Sequence, residues 1–205
     1  VIVFLNFLSS LDAQLYFGLK GSYTLSFSRP QELKYDDAQD FLTYKINFIE
    51  QDVSPTIQGF VYFRNDLIYL QGELGYRSIK TRFSSTNFLT LGNAPVESVK
   101  KTDYLIIPIS AGLRLANFKL GVGPVFSVIV NENAIFEDIE NFEERRPKIE
   151  SGFAFNFGMA LYRLHVDLSY EVKFNSVGDY LYYREDSKGF DNPVQYLSLG
   201  LGFLF

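Results

Sequence analysis

The last ten residues of the chain, Tyr196–Phe205, alternate between large apolar side chains and mostly small or polar ones. The apolar series occupies the odd positions, which are Leu197, Leu199, Leu201, Phe203 and Phe205. A side-chain period of two is the signature of a β-strand with one apolar face. We therefore expect this segment to be a strand, and the fold to be built from strands of the same kind.

The same alternation recurs seven times earlier in the chain. The eight predicted strands are Leu15–Ser28, Ser54–Arg64, Leu67–Phe83, Lys101–Leu115, Phe118–Val130, Lys148–Leu161, Leu164–Phe174 and Pro193–Phe205. The second strand leaves its orientation open, because Phe60 and Tyr62 lie on one face and Ile57, Val61 and Phe63 on the other. At 205 residues, the strands and their connections make one domain.

Long and short connections alternate along the chain. The long ones are Arg29–Val53, Ser84–Lys100, Asn131–Pro147 and Asn175–Asn192, and the tight turns are Asn65-Asp66, Ala116-Asn117 and Tyr162-Arg163. In an antiparallel sheet this order places every long connection at one end. Barrels of the bacterial outer membrane have short periplasmic turns, long external loops and an even number of strands. A soluble sandwich has no reason to sort its loops in this way.

The two faces of the predicted strands differ in composition. In the first strand and in the third to eighth, the apolar side chains of one face follow one another without a charge between them, as from Ile68 to Tyr76 and from Leu105 to Leu115, and the opposite faces are rich in Gly, Ala and Ser. A soluble sandwich also explains the alternation, but small side chains suit the narrow interior of an eight-stranded barrel. Lys or Arg on a lipid-facing surface costs about 2–4 kcal/mol near the midplane. The sequence thus predicts an all-β, eight-stranded, antiparallel up-and-down transmembrane β-barrel with four long extracellular loops.

Ionisable residues on the second face would then point into the lumen. They are Lys20, Glu73, Arg77, Arg114, Lys119, Asp167, Glu171 and Lys173. Because both signs are present, they can pair across the interior. Eight strands leave no open aqueous channel, so a network of ion pairs that plugs the lumen is favoured over transport.

Composition excludes several classes of function and membrane anchor. The net charge of −5 argues against a general affinity for nucleic acid, and the absence of Cys excludes thiol chemistry and Cys-based metal sites. No apolar run reaches the roughly 20 residues of a transmembrane helix. A chain of this composition can therefore cross a membrane only as a closed barrel.

Both ends of the chain carry features of export. The apolar segment Val1–Leu11, followed by Asp12 and Ala13, resembles the end of a signal peptide cleaved after Ala13, the alternative being a strand-like arm. This divides the chain into residues 1–13 and a barrel domain of residues 14–205. A last strand with Phe203 and Phe205 is the type of signal that the barrel-insertion machinery of bacteria recognises. The expected location is the bacterial outer membrane, with membrane lipid and the insertion machinery as partners.

Little in the sequence points to catalysis. The one histidine, His165, shares a face with Asp167, which suggests either a proton-relay fragment or, as we favour, a hydrogen-bonded pair in the lumen. We find no phosphate-binding loop, metal-ligand cluster or nucleophile elbow. We therefore expect no enzymatic activity, no metal and no cofactor.

Two of the long loops have distinctive compositions. The third is acidic, with Glu132, Glu137, Asp138, Glu140, Glu143 and Glu144; its carboxylates suit Ca²⁺, but their spacing fits no known loop motif and favours a solvated loop. The fourth contains Tyr180, Tyr182 and Tyr183. These tyrosines are candidates for contact with a partner or for the aromatic girdle of a barrel.

Several strands resemble a known family. LQGELGY at Leu70–Tyr76, YLIIPISAGLRL at Tyr104–Leu115 and LGVGPVFSVIV at Leu120–Val130 are similar to successive strands of the PorT-like outer-membrane barrels of Bacteroidota. Gly72 and Ile106 depart from that family, which often has Pro and an acidic residue there. The resemblance implies a small barrel, and the namesake of the family is linked to secretion and gliding.

Two kinds of function remain open. The favoured one is a structural or interaction component, a subunit or accessory of a larger outer-membrane assembly for secretion, gliding or insertion. The alternatives are an outer-membrane enzyme that modifies lipid or peptide, and a barrel that binds a small ligand.

Overall fold

The chain folds into antiparallel β-structure. A computed structural model describes residues 14–27, 31–36, 42–87, 94–133, 142–144, 147–176, 181–183, 186–188 and 193–205. The strands in these ranges are β1 Gln14–Ser26, β2 Gln31–Asp36, β3 Leu42–Val53, β4 Thr56–Arg64, β5 Ile68–Asn87, β6 Val96–Leu115, β7 Phe118–Glu132, β8 Phe142–Glu144, β9 Ile149–Leu161, β10 Leu164–Ser176, β11 Leu181–Tyr183, β12 Asp186–Lys188 and β13 Pro193–Leu204. The predicted signal segment, residues 1–13, lies outside the described residues.

Eight of these strands close into a ring. Their hydrogen-bonded order is β5-β4-β1-β13-β10-β9-β7-β6, and pairing of β5 with β6 completes the circle. Every pairing in the ring is antiparallel. The predicted eight-stranded antiparallel barrel is therefore confirmed.

Three tight connections join ring strands at one end, at the positions that the sequence predicts. In the first, the Asn65 side-chain oxygen accepts hydrogen bonds from the backbone N–H groups of Leu67 at 3.0 Å and Ile68 at 2.7 Å. In the other two, Ala116 and Tyr162 adopt positive φ angles of 54° and 58°. Such angles reverse the chain within two residues but are unusual for residues with a side chain.

The first long connection is not a loop, as the sequence analysis expected, but contains a β-hairpin. Strand β2 pairs with β3, and β3 pairs with residues 79–87 of β5, beyond the point where β4 begins. Strands β5 and β6 are each 20 residues long, against 9 residues for β4. The hairpin and the far halves of β5 and β6 thus form a sheet that continues past the ring, which we call the extension sheet.

The third and fourth long connections also contain strands. Strand β11 pairs with β8 on one side and with β12 on the other, which makes a separate three-stranded sheet. The sequence analysis treated these segments as loops; each of the three strands is only three residues long.

The ring has an apolar outside and a polar inside. Side chains that point away from the lumen, which we call the outer wall, remain about half exposed, as Leu19 (54%), Leu120 (57%) and Leu199 (58%) illustrate. On β4, Ile57 faces outward and is 74% exposed, whereas Phe60 is buried. The undecided orientation of this strand is therefore resolved: Phe60 and Tyr62 face the lumen, and Ile57, Val61 and Phe63 face outward. No helix within the described ranges is long and apolar enough to cross a membrane.

Candidate functional site

Five polar side chains form a continuous belt across the lumen near the tight turns. Lys20 Nζ lies 2.6 Å from Glu73 Oε2, and Glu73 Oε1 also accepts a 2.6 Å hydrogen bond from the Gln71 amide. Lys119 Nζ donates to Gln71 Oε1 at 2.9 Å and lies 2.8 Å from Asp167 Oδ1. This lumen belt connects β1, β5, β7 and β10, none of which are hydrogen-bonded neighbours in the ring.

A second group of charges lies further from the turns. Arg77 Nη1 is 2.9 Å from Glu171 Oε2, and both side chains are nearly inaccessible, at 6% and 5% exposure. Lys173 Nζ lies 2.5 Å from Glu150 Oε2, with similar burial. We call these four residues the lumen crossbar, because Arg77 and Glu171 come from opposite sides of the ring.

Aromatic rings of the lumen pack against the crossbar cations. The Lys173 ammonium lies 4.3 Å from the centre of the Tyr104 ring, and the Arg77 guanidinium lies 5.2 Å from that of Tyr196. Cation–π contacts of this kind strengthen when the groups are desolvated. The crossbar is thus fixed by apolar packing as well as by charge.

The charges of the belt and crossbar balance. They comprise four cations and four carboxylates, joined in four pairs. A buried charge is costly unless a partner and further hydrogen bonds compensate for its lost hydration. The pairs therefore allow polar groups to fill the lumen, and each group depends on its partner.

Apolar clusters border both groups. One contains Phe60, Tyr62, Tyr69 and Leu204, and the other contains Ile79, Tyr104, Ile106, Val194 and Tyr196. Between the belt and the crossbar lies a small polar cavity, in which only about 40 Å³ can take the centre of a water molecule. That is room for roughly three waters. The interior described here is a filled core and not an aqueous channel.

Seven of the eight predicted lumen residues take part in these pairs. The eighth, Arg114, is partly buried and forms no ion pair with a residue that the structure describes. The predicted list of ionisable lumen residues omitted Glu150, and it did not extend to Gln71, which is neutral although it lies on the lumen face of its strand. Glu150 shares the face of Gly152 and Ala154, which was recognised as the small-residue face, so its position in the period-two pattern could have identified it.

His165 lies inside the barrel with no exposed surface. Its ring packs near Phe60 and Tyr62, with centroids 5.9 and 5.2 Å away, and its Nδ1 lies 3.5 Å from Lys119 Nζ. Asp167 pairs with the same lysine. The expected His165–Asp167 hydrogen bond is therefore replaced by a shared contact with Lys119, and the imidazole is shielded from solvent.

The remaining candidate residues belong to the third and fourth long connections. Tyr180 is outside the described residues, and Tyr182 and Tyr183 belong to β11, where only the backbone is described. In the acidic third loop, Glu143 and Glu144 lie on β8, whereas residues 137, 138 and 140 fall outside the described ranges.

Two further expectations concern the last strand and metal binding. Phe203 and Phe205 are exposed, 42% and 69%, with ring centres 5.9 Å apart; their role as an insertion signal remains a prediction. Within the described part of the chain, no three His, Asp or Glu side chains are grouped to hold a metal ion.

Comparison with known proteins gives structural neighbours only. No family model and no curated protein matches the chain. The outer-membrane protease OmpT from Escherichia coli aligns over 94% of this chain and 96% of its own, with 10% identity and a TM-score of 0.35. The NanC porin aligns over 91% and 98%, with 8% identity and a TM-score of 0.30.

One of these neighbours corrects an expectation from the sequence. We predicted that the chain is not an enzyme, and this prediction is withdrawn, because the barrels that align with the chain include a protease and the fold is therefore compatible with an enzyme as well as with a non-enzyme. The alignment assigns neither an activity nor a catalytic residue to this chain. Its structural neighbours are outer-membrane proteins, one a protease and one a porin.

Proposed function

We propose that the chain is an outer-membrane β-barrel that is closed to solutes and serves as an interaction component. On this proposal it contacts a partner protein of a larger outer-membrane assembly through the extension sheet. The observation that carries the proposal is the combination of a filled lumen with two 20-residue strands that extend past the ring.

The outer wall supports the membrane location. Phe118, Leu120 and Val122 follow one another along the outward face of β7 with 49%, 57% and 45% of their surface exposed. Exposed apolar surfaces of large extent mark contact with a membrane or another protein. In a bilayer these side chains would meet acyl chains, and the charges of the belt and crossbar would stay inside.

The extension sheet supports the interaction role because it is folded, with one apolar side and one charged side. One side buries Ile46, Phe48 and Phe83, and the rings of the two phenylalanines lie 6.1 Å apart. In the part of the extension sheet that lies outside a bilayer, packing of these apolar side chains would keep the sheet rigid. A solvated loop would instead have to be ordered on binding, at a cost in conformational entropy.

The other side of the extension sheet carries accessible charges of both signs. Lys45 Nζ lies 2.5 Å from a Glu32 oxygen, and Arg82 Nη1 lies 2.7 Å from Glu50 Oε1. Rim charges of this kind set the orientation and specificity of a protein complex more than its affinity.

We also propose, from the strand resemblance described above, that the chain is a PorT-like barrel from Bacteroidota.

The test is affinity purification of the tagged protein from native membranes in mild detergent. The comparison variant reverses three charges of the extension sheet, Lys34→Glu, Lys45→Glu and Arg82→Glu. We expect a stoichiometric companion with the unaltered chain and its loss with the variant. Both proteins should migrate faster unboiled than boiled on a gel, which shows that the barrel is intact.

Three results would contradict the proposal. A companion retained equally by the triple variant would remove the extension sheet from the interaction, and the absence of any companion would remove the interaction role. Recovery of the protein in the soluble fraction without detergent would overturn the membrane location.

A further inference from the structure

Two arginines lie on the lumen side of the tight-turn end, on strands separated by β5. Arg64 is the last residue of β4 and lies opposite Tyr69 of β5 in the register. Tyr69 in turn lies opposite Gly112 of β6, two residues before Arg114. The two guanidinium groups therefore come from the strands on either side of β5, next to the turn where Arg114 N donates to Leu67 O at 2.6 Å.

Neither arginine has a carboxylate partner among the described residues. Arg64 Nη2 donates to the Tyr16 hydroxyl at 2.8 Å and to Gln14 Oε1 at 3.4 Å, and both acceptors are neutral. The Nε of Arg114 has no hydrogen-bond partner, and no carboxylate within the described ranges forms an ion pair with this residue. In the belt, Asp167 is already paired with Lys119. This end of the lumen consequently carries two uncompensated positive charges.

Buried donors at the same end lack acceptors. Tyr62 has no exposed surface, and its hydroxyl makes no hydrogen bond to a described residue. The Nε atoms of Arg64 and Arg114 are likewise buried and unpaired. Tyr62 and Arg64 lie two residues apart on the lumen face of β4, and only β5 separates β4 from the strand that carries Arg114. Leaving such donors unsatisfied is costly.

We infer that this end of the lumen binds a phosphate group between Arg64 and Arg114, with the Tyr62 hydroxyl as a further donor. A phosphate offers several acceptor oxygens and negative charge, and the planar fork of arginine matches it in a bidentate manner. The ligand is either a phosphate-containing solute or the headgroup of an anionic phospholipid. The site is independent of the extension sheet and of any partner bound there.

Binding is tested on the full chain in a sugar-based detergent, which contains no phosphate of its own. One arm titrates inorganic phosphate by calorimetry. The other uses native mass spectrometry to compare retention of phosphatidylglycerol with that of phosphatidylcholine. The variants are Arg64→Gln and Arg114→Gln, and the control is Arg82→Gln, an exposed arginine of the extension sheet.

We expect saturable binding in one arm, weakened about tenfold or more by either lumen variant because each removes a charge-assisted contact. The control should bind like the unaltered chain. Binding of inorganic phosphate identifies a solute as the ligand. Retention of phosphatidylglycerol alone identifies a lipid headgroup.

No binding in either arm, or equal binding by the unaltered chain and both lumen variants, would overturn the inference. Arg64→Lys and Arg114→Lys serve as second variants in case the glutamine forms fail to fold. The lysine variants keep the positive charge but lack the planar guanidinium group that binds phosphate in a bidentate manner. Their binding should therefore fall between that of the unaltered chain and that of the glutamine forms.

Discussion

Arg77 on β5 and Glu171 on β10 are paired at 2.9 Å, although they are 94 residues apart in the chain. The two strands are four positions apart in either direction around the ring, so this contact spans its full width. Backbone hydrogen bonds join each strand only to its neighbours. The crossbar therefore links opposite sides of the barrel in a way that the sheet alone cannot.

Removing one charge of this pair should be strongly destabilising. We expect Glu171→Gln to lower the free energy of unfolding by about 3 kcal/mol or more, because it leaves Arg77 buried without a counter-charge. Glu50→Gln is the matched control, since its pair with Arg82 also joins Glu to an arginine of β5 but is about half exposed. That change should cost about 1 kcal/mol or less. Urea unfolding in lipid vesicles measures both, and equal losses would contradict the role of the crossbar.

Gly158 gives a test of how closely the lumen belt is packed. A Cβ atom at this position would collide with Asp167 Oδ1 and with the Lys119 side chain. We expect Gly158→Val to cost about 1–3 kcal/mol through overpacking. Gly72→Val is the control, because a Cβ there would meet no atom within 4 Å. The measurement is the unfolding midpoint of each variant. A Gly158 variant as stable as the Gly72 variant would argue against a tightly packed belt.

The filled lumen predicts an absence of large conductance. With about 40 Å³ available to water centres between the belt and the crossbar, the barrel should give no porin-like current steps in a planar bilayer. A porin inserted under the same conditions provides the comparison. Reproducible, large steps from this protein would show that the interior opens in the membrane.

The turn at Ala116 contains backbone strain that a substitution can remove. Ala116 has a φ of 54°, in the region that a residue with a Cβ adopts at a cost of roughly 1 kcal/mol. We expect Ala116→Gly to stabilise the barrel by up to about 1 kcal/mol, reduced by the greater freedom of glycine in the unfolded chain. Asn117→Gly, at the neighbouring turn position, should lack this gain. A higher unfolding midpoint for the Ala116 variant alone would support this account.

The extension sheet should show a distinct pH response. Hydrogen bonds from Lys45 and then Lys34 lower the pKa of the exposed Glu32 carboxyl. A carboxyl with a lowered pKa contributes stability above its ordinary pKa, and that contribution is lost as the pH falls through the lowered value. Lys45→Ala should therefore raise the pKa of Glu32 in an NMR titration, whereas Lys80→Ala should leave it unchanged.

The ring was predictable because its strands satisfy one simple rule. Along β7 and β13, residues alternate between large apolar and small side chains, so the period of two is visible without knowing which strands lie next to them. The faces of the belt residues follow from the same rule. The period of two gives the face on which a residue lies but not its position along the barrel axis. It therefore did not reveal that Arg114 would be separated from the carboxylates.

The parts that the sequence did not reveal depend on contacts between distant segments. β4 carries large apolar or aromatic side chains on both faces, and only closure of the ring turns Phe60 and Tyr62 inward against His165. The β2–β3 hairpin was read as a polar loop because charges such as Glu32 and Lys45 mask the inward Ile46 and Phe48. The turns at Ala116 and Tyr162 contain no glycine, so loop length alone indicated them.

The way the lumen belt connects its strands also bears on the order of folding. Lys20 comes from the first ring strand, Glu73 from the third and Asp167 from the seventh along the chain. A partly assembled sheet would leave these charges without partners while its apolar wall was already entering lipid. Incomplete barrels are thereby disfavoured, and insertion and ring closure are expected to occur as a single cooperative event.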